Sequence, residues 1–334
     1  MRRHRHSTGT NNMRSKRLLT ALGAVFVLTT AAFADQYPSK PIRWVVPYPP
    51  GGGTDMVSRV VSAKLSEALS QPIVVDNRPG GSTIIGTTTV ARAPADGYTL
   101  GLITDSHSIN ASFDKSLPYD STKDFAPIVQ LVRVPLVLVV NSSQVPMNTL
   151  PELIKHAREN PGWFSFGSLG PGSPHELGFA WFKELAKFDA LMVPYRGVNP
   201  AFQDVVAGHI KGTFLGAAIA SQLVNSGKAK AIAITSAHRL KSAPDIPTFA
   251  EQGFPDYEFV TWYGMVAPGK TPAPIIARLN AEFNRVLQSP EVVESIGQVG
   301  GELAGGTPQS FKDMMEADML KYRKIIQATG AKPE

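Results

Sequence analysis

A short apolar run that breaks into three glycines and continues with helical periodicity is the feature that most constrains the fold. Residues 43–55 read RWVVPYPPGGGTD, and apolar residues recur at helical spacing over residues 56–69. This pattern predicts a strand, a tight glycine-rich turn and a helix N-terminus. Because glycine lets the backbone approach a ligand, and the first turn of a helix presents unpaired N–H groups, the turn suits a carboxylate or a phosphate.

An ordinary connection between a strand and a helix, with Thr54 or Asp55 as N-cap, explains the same segment. The Walker lysine after the glycines and the G-x-G-x-x-G spacing are both missing, so the turn does not match a nucleotide-binding motif. A carboxylate of Asp55 directed into the turn would repel an anionic ligand. We therefore expect Asp55 to cap the helix or to bond back to the turn.

The N-terminus has the pattern of a secretory signal peptide. Residues 13–17 are basic, residues 18–30 are apolar, and residues 32–34 read AFA, a small-x-small cleavage pattern. We predict cleavage after Ala34, with a retained membrane anchor as the alternative. Residues 1–12 precede a second methionine and are interpreted as an upstream mis-start.

Charge and cysteine content exclude several classes of function. The formal net charge of +6 arises from 33 basic and 27 acidic residues, but residues 1–34 carry six basic and no acidic side chains. The mature chain is therefore near neutral, which gives no support for nucleic-acid or anionic-membrane binding. The absence of cysteine excludes disulfides, thiolate catalysis and cysteine-ligated metals.

Short apolar runs alternate with helical patterns along the chain, which predicts an α/β protein with mostly parallel sheets covered by helices. The predicted strands after the first are 72–76, 98–103, 163–166, 190–194, 210–215, 229–235 and 259–266. The predicted helices after the first are 82–93, 150–160, 175–187, 200–207, 218–226, 274–287, 290–298 and 308–329.

The apolar run 128–140 is too long for one simple strand, and Pro135 would break its ladder, so we expect two strands with a crossing between domains. A second crossing near residue 260 would complete a hinge. The predicted domains are residues 35–135 with 260–334 as lobe 1, and residues 136–259 as lobe 2.

A second glycine-rich turn at residues 167–174 precedes the helix that begins near His175, so each lobe would offer one helix N-terminus to a ligand. His175 is equally explained as a donor to a ligand oxygen or as a plain helix-start residue. Arg78 and Arg196 are candidate anion partners, with turn bracing as the alternative. Tyr48 is a candidate wall of the site because it lies within the first turn.

Enzymatic and metal chemistry are not expected. The sequence around Ser168 lacks the G-x-S-x-G spacing of a nucleophile elbow, although an exported serine hydrolase remains an alternative. The histidines are scattered, with no H-x-x-x-H pair, so neither a metal site nor a cofactor is predicted.

These motifs together resemble the Bug-type substrate-binding receptors of tripartite tricarboxylate transporters, over nearly the whole mature chain. The segments that carry the resemblance are residues 37–43 (YPSKPIR), 45–55 (VVPYPPGGGTD), 75–80 (VDNRPG), 94–100 (PADGYTL), 123–127 (KDFAP), 193–197 (VPYRG), 247–253 (PTFAEQG) and 262–268 (WYGMVAP).

The resemblance implies a two-lobed, type II periplasmic-binding-protein fold that closes on a small mono-, di- or aromatic carboxylate without reacting with it. It further implies a monomer in the periplasm that delivers the ligand to integral-membrane transporter subunits; a co-receptor for a membrane sensor kinase is the alternative. The implied ligand-binding residues are Tyr48, Gly52, Gly53, Thr54, Asp55, Thr104 and Ser106 in lobe 1, and Ser168, Gly170, Ser173, His175, Asn199 and Phe214 in lobe 2.

Two departures from the family pattern bear on the ligand. Where the family often has an acidic residue after the position of Phe214, this chain has Leu215, which favours a plain or aromatic carboxylate over an amino acid. The loop between Ser168 and His175 carries two prolines, Pro171 and Pro174, so the match of its residues to the family is looser there.

Overall fold

The computed structural model describes residues 37–113, 116–170 and 172–332. The chain divides into two units, Met1–Lys40 and Pro41–Glu334. In the first unit only residues 37–40 are described, and they contain no helix or strand. The predicted signal peptide and its cleavage site lie outside the described residues. Among the helices that are described, none combines the length and the apolar character needed to cross a membrane.

Ten strands occur in the described part of the second unit. They are β1 (Ile42–Val46), β2 (Ile73–Asn77), β3 (Thr99–Thr104), β4 (Phe125–Asn141), β5 (Phe164–Ser168), β6 (Ala190–Pro194), β7 (Gly212–Gly216), β8 (Ala229–Ile234), β9 (Val260–Pro268) and β10 (Glu302–Gly305).

The strands form two parallel sets joined by long antiparallel strands. The order is β2-β1-β3-β9-β4-β7-β5-β6, with β8 and β10 also paired to β4. Strand β1 is parallel to β2 and β3, and β5 is parallel to β6 and β7. Strands β9 and β4 run antiparallel to each other and to their outer neighbours. The expectation of an α/β fold with mostly parallel sheets is confirmed for each set.

The prediction of two strands within residues 128–140 is wrong, because β4 is continuous over 17 residues. Its pairing register with β9 shifts at two places, which accommodates the irregular sequence. Pro135 is tolerated because it lies where the strand that pairs with β4 changes. Pro135 is opposite Val260 of β9, whereas Leu136 begins the pairing with β7. The backbone N–H of Leu136 donates to Thr235 Oγ1 at 2.8 Å.

Ten α-helices and one 3₁₀ turn, Ala250–Gln252, accompany the described strands. The helices are α1 (Gly53–Leu69), α2 (Ile84–Ala91), α3 (Asp105–Ser112), α4 (Leu150–Glu159), α5 (Pro174–Ala186), α6 (Val198–Ala207), α7 (Ala217–Asn225), α8 (Ala273–Val286), α9 (Pro290–Gln298) and α10 (Pro308–Thr329).

The topology places helix N-termini at the carboxyl ends of parallel strands. Helices α1, α2 and α3 directly follow β1, β2 and β3, and helices α5, α6 and α7 follow β5, β6 and β7. Since the strands within each set are parallel, each set collects three helix starts at one sheet edge. Such edges are where open α/β sheets bind ligands.

An aromatic cluster packs α5 against the second parallel set. The rings of Phe166 and Phe179 stack with centroids 3.8 Å apart, and Phe214 approaches Phe166 edge-on at 5.1 Å. Phe182 and Phe188 also contact Phe179. Burying several large rings contributes strongly to stability and fixes the helix on the sheet. The start of α5, which carries Ser173 and His175, is positioned by this core.

Candidate functional site

The turn before α1 presents free backbone donors. Gly52 is the N-cap, with φ −87° and ψ 175°, and no side chain caps the helix. The first intrahelical bond runs from Met56 N to Gly52 O at 2.9 Å, so the N–H groups of Gly53 and Thr54 have no helical partner. Gly52 is exposed and Gly53 is half-buried. These donors, together with the positive end of the helix dipole, suit an anion.

Asp55 braces the turn, and the ligand contact that the resemblance implies for it stays a prediction. Its Oδ2 accepts hydrogen bonds from Gly51 N and Arg59 Nε, both at 3.0 Å, and its Oδ1 accepts from Asn77 Nδ2 at 3.1 Å. Burial alone would raise the pKa of Asp55, but these hydrogen bonds hold it below the ordinary value. The carboxylate is thus satisfied within the protein, as the repulsion argument anticipated.

Three hydroxyl groups gather beside the glycine turn. The hydroxyl of Tyr48 lies 2.7 Å from Thr104 Oγ1 and donates to Ser106 Oγ at 3.2 Å. Burial raises the pKa of Tyr48 to about 12, with a smaller contribution from the nearby Asp105. The phenol therefore stays protonated at neutral pH and remains a donor. The structure brings together the predicted residues Tyr48, Thr104 and Ser106 at the end of β3 and the start of α3.

A buried carboxyl group lies directly behind these hydroxyls. Asp105 is 2% exposed, and its Oδ2 has no hydrogen-bond partner in the described chain. Burial, followed by the charge of Asp318, raises the pKa of Asp105 well above its ordinary value. A carboxyl group kept neutral in this position does not repel a ligand carboxylate, whereas an ionised one would.

We expect Asp105→Asn to change how stability depends on pH. Between the unfolded pKa, near 3.8, and the raised folded pKa, the folded wild type holds one proton more than the unfolded chain. Its stability therefore falls as pH rises, by at most about 1.4 kcal/mol per pH unit from this group. The variant lacks this loss, so its melting temperature should rise relative to that of the wild type as pH increases from 5 to 8.

The control for this measurement is Asp256→Asn, at an exposed position, which should follow the wild-type curve. If the difference in melting temperature between Asp105→Asn and the wild type stays constant over the pH range, Asp105 is not a neutral carboxyl group in the folded protein.

The second predicted turn lies at the end of β5. Ser173 is the N-cap of α5, and its side chain accepts a hydrogen bond from Glu176 N at 3.2 Å. The Ser168 hydroxyl contacts Gly170 N and Glu176 Oε2, both at 3.4 Å. Gly170 has a φ of +93°, and open space surrounds the position that a Cβ would take there. Pro171 lies outside the described residues, so its effect on the loop is not tested.

His175 and Asn199 occupy different environments. The imidazole of His175 is buried, and neither ring nitrogen has a hydrogen-bond partner in residues 37–113, 116–170 and 172–332. Burial lowers its pKa to about 4, so the ring is neutral at physiological pH. Asn199 lies in the first turn of α6, where it is exposed. The Ser168 hydroxyl lies 3.4 Å from the Glu176 carboxylate, and no histidine is hydrogen-bonded to Ser168 or Ser173 in the described chain.

Phe214 and Leu215 belong to the hydrophobic core, and the contact of Phe214 with ligand that the resemblance implies stays a prediction. Both side chains are 0% exposed. They point to opposite faces of β7, Phe214 into the aromatic cluster and Leu215 against Val137 and neighbouring apolar residues. Because Leu215 faces a core, its identity carries no direct information on the ligand, and the argument that it disfavours amino acids loses its basis.

The turn after α9 lies beside the starts of α1 and α7, a contact that sequence reasoning missed. A Cβ on Gly53 would lie 3.3 Å from Val299 Cγ1 and 3.5 Å from the Tyr263 hydroxyl. A Cβ on Gly216, the N-cap of α7, would lie 2.8 Å from Val299 O. Val299 therefore touches the starts of α1 and α7, which belong to different parallel sets. The sheet edges that carry these two helix starts therefore approach each other at this residue.

The Tyr263 hydroxyl is a further donor beside α1. No hydrogen bond to it occurs within the described residues, and burial raises the pKa of Tyr263 far above its ordinary value. The sequence places Tyr263 among the aromatic residues near the predicted cleft, where core packing is the ordinary explanation. A group of three or more acidic or histidine side chains suited to a metal ion is not found in the described chain.

Comparison with known proteins identifies the family. The model of the tripartite tricarboxylate transporter family receptor matches residues 57–331. Protein BugT of Bordetella pertussis is 34% identical over 326 residues, covering 96% of this chain and 99% of its own length. The structure of R. palustris Rpa4515 with adipate is 33% identical with a TM-score of 0.79, covering 89% of this chain and 100% of that one. MatC from Rhodopseudomonas palustris with bound malate is 28% identical with a TM-score of 0.76, covering 87% and 100% of the two chains.

Proposed function

The chain belongs to the tripartite tricarboxylate transporter receptor family, whose members are binding proteins rather than enzymes, and we propose that it captures a small carboxylate between its two parallel strand sets. The uncapped N-terminus of α1 beside the hydroxyls of Tyr48, Thr104 and Ser106 is the observation that carries this proposal. Backbone N–H and hydroxyl groups are donors that a carboxylate accepts from directly or through water.

The ligands of two relatives support the class of ligand. Rpa4515 was solved with adipate and MatC with malate, both of which carry two carboxylates. Two helix starts on opposing edges give two places for such groups. The donors Gly53 and Thr54 belong to one edge, and Ser168, Gly170, Ser173, His175 and Asn199 stay candidate contacts on the other.

We assign the lobes as residues 35–135 with 260–334, and residues 136–259. The change of strand pairing between Pro135 and Leu136 supports a hinge at this point of β4, and β9 begins at Val260, where the second crossing is proposed. Ligand would stabilise the closed arrangement by contacting both edges at once, which is the differential affinity that closure requires. We further propose export to the periplasm after cleavage at Ala34, and delivery of the ligand to integral-membrane transporter subunits.

A thermal-shift screen of the mature protein, purified without refolding, tests carboxylate binding. At a ligand concentration of 100 times the dissociation constant, binding stabilises the folded state by about 2.7 kcal/mol. For a chain of this size that is a rise in melting temperature of several degrees, at roughly 2–4 °C per kcal/mol. We expect one or more mono- or dicarboxylates to produce it, and native mass spectrometry to show a bound acid of matching mass.

The matched control for each acid that binds is its amide, which has nearly the same shape without the charge. The amides should leave the melting temperature unchanged. If sugars or amines raise the melting temperature while a broad panel of carboxylates has no effect, the proposed function is wrong.

A further inference from the structure

Val299 lies between the two helix starts that face each other across the site. The Cγ1 atom of Val299 lies 3.3 Å from the position that a Cβ on Gly53 would take, and no other side-chain atom in the described chain is nearer to that position. The carbonyl oxygen of Val299 lies 2.8 Å from the position that a Cβ on Gly216 would take. The side chain is half-buried, so part of the isopropyl group faces open space. An apolar side chain therefore borders the region between two groups of backbone donors.

The turn that carries Val299 is held in one conformation. Gly300 N donates to Gly297 O and Gly301 N to Ile296 O, both at 2.9 Å. Gly300 has a φ of +73°, and a Cβ there would lie 2.6 Å from Ala217 N. Glycine is thus required both by the left-handed backbone and by contact with the first turn of α7. Val299 cannot move away from the helix starts unless this packing is broken.

We infer that Val299 determines the chain length of the carboxylate that the site accepts. This inference rests on the proposed function. Since the N–H groups at both helix starts belong to rigid elements, the space left for the carbon chain of the ligand is set by the side chains between them. Val299 lies against both helix starts and presents an apolar side chain, so the size of that side chain limits the number of methylene groups.

The size of the effect follows from apolar burial. Each methylene of a ligand that gains a buried place strengthens binding by about fourfold. Val299→Ala opens room for one or two methylenes, whereas Val299→Phe fills it. Val299→Thr keeps the shape of valine and changes only its polarity, so it is the matched control.

The experiment measures dissociation constants by calorimetry for two homologous series, monocarboxylates and α,ω-dicarboxylates of three to eight carbons, with the wild type and the three variants. We expect Val299→Ala to improve binding of acids one or two carbons longer than the best wild-type ligand, relative to that ligand, by at least about fourfold. Val299→Phe should shift the preference to shorter acids, and Val299→Thr should keep the wild-type order.

Two failures are distinguishable. If the wild type binds members of a series but the order of preference is unchanged in both Val299→Ala and Val299→Phe, or shifts equally in Val299→Thr, the role of Val299 is overturned and carboxylate capture stands. If the wild type binds no member of either series and no other carboxylate of the thermal-shift screen, the proposed function fails and the role of Val299 fails with it.

Discussion

Replacing Phe179 by alanine should lower the melting temperature of the mature protein by roughly 10 °C. The ring is 0% exposed and lies at the centre of the aromatic cluster, stacked on Phe166 at 3.8 Å and in contact with Phe182 and Phe214. Truncating a buried phenylalanine costs about 3–5 kcal/mol, from lost transfer free energy and from the cavity that remains. Calorimetry or circular dichroism of the apo protein measures the shift.

Leu185→Ala on the same helix is the matched control. Leu185 is 39% exposed, so its truncation should change the free energy of unfolding by about 0.5 kcal/mol or less. Because α5 also carries Ser173 and His175, ligand affinity of Phe179→Ala should be measured at a temperature where the variant is folded. Equal melting temperatures for the two variants would show that the cluster does not hold α5 in place.

Sequence periodicity was sufficient for the helices and strands that have clear start signals. The pattern of residues 308–329 and 290–298 predicts α10 and α9 at their observed bounds, since proline at the first turn marks each start. The strand at 190–194 is likewise β6. Amphipathic segments with clear start signals are predictable because their local preference and their burial agree.

Two elements were not predictable by the same means. Helix α3 reads DSHSINAS, and aspartate, serine and asparagine favour caps and turns over helix interiors, so local preference argues against the helix. Its serines instead bond to the backbone of α10, through Ser112 Oγ to Met319 O at 2.8 Å. Strand β10 has four residues and forms only by pairing with β4. Both elements depend on partners distant in the chain.

The part of the candidate site that consists of backbone geometry was predictable from the sequence. The positions of its side chains were less predictable. The glycine turn and the bracing role of Asp55 follow from local chemistry, whereas the hydroxyls of Thr104 and Ser106 after β3 were named only through the family resemblance. The core positions of Phe214 and Leu215 do not follow from local chemistry, because a central strand buries both of its faces and the alternation of sides alone cannot reveal a ligand contact. Val299 was missed since only the fold brings it to Gly53.

Gly53→Val is expected to weaken carboxylate binding roughly 100-fold, which corresponds to about 2.7 kcal/mol. A Cβ at this position already lies 3.3 Å from Val299 Cγ1 and 3.5 Å from the Tyr263 hydroxyl. The two further methyl groups of valine must occupy the space in front of the α1 N-terminus, so they displace the ligand from the N–H donors there or push Val299 away from α7. Calorimetric titration with the best acid from the screen measures the loss.

Gly297→Ala controls for the general effect of adding a side chain near this turn. Gly297 is exposed, and a Cβ there has no atom within 4 Å, so affinity should stay within about twofold of wild type and helix α9 should gain slightly in stability. The melting temperature of apo Gly53→Val shows whether a loss of binding comes from the site or from unfolding of the protein. Overpacking at a half-buried position costs about 1–3 kcal/mol, so we expect the variant to be folded. If folded Gly53→Val binds the acid as tightly as the wild type, the ligand does not lie at the start of α1, and the anion site must be sought at the other sheet edge.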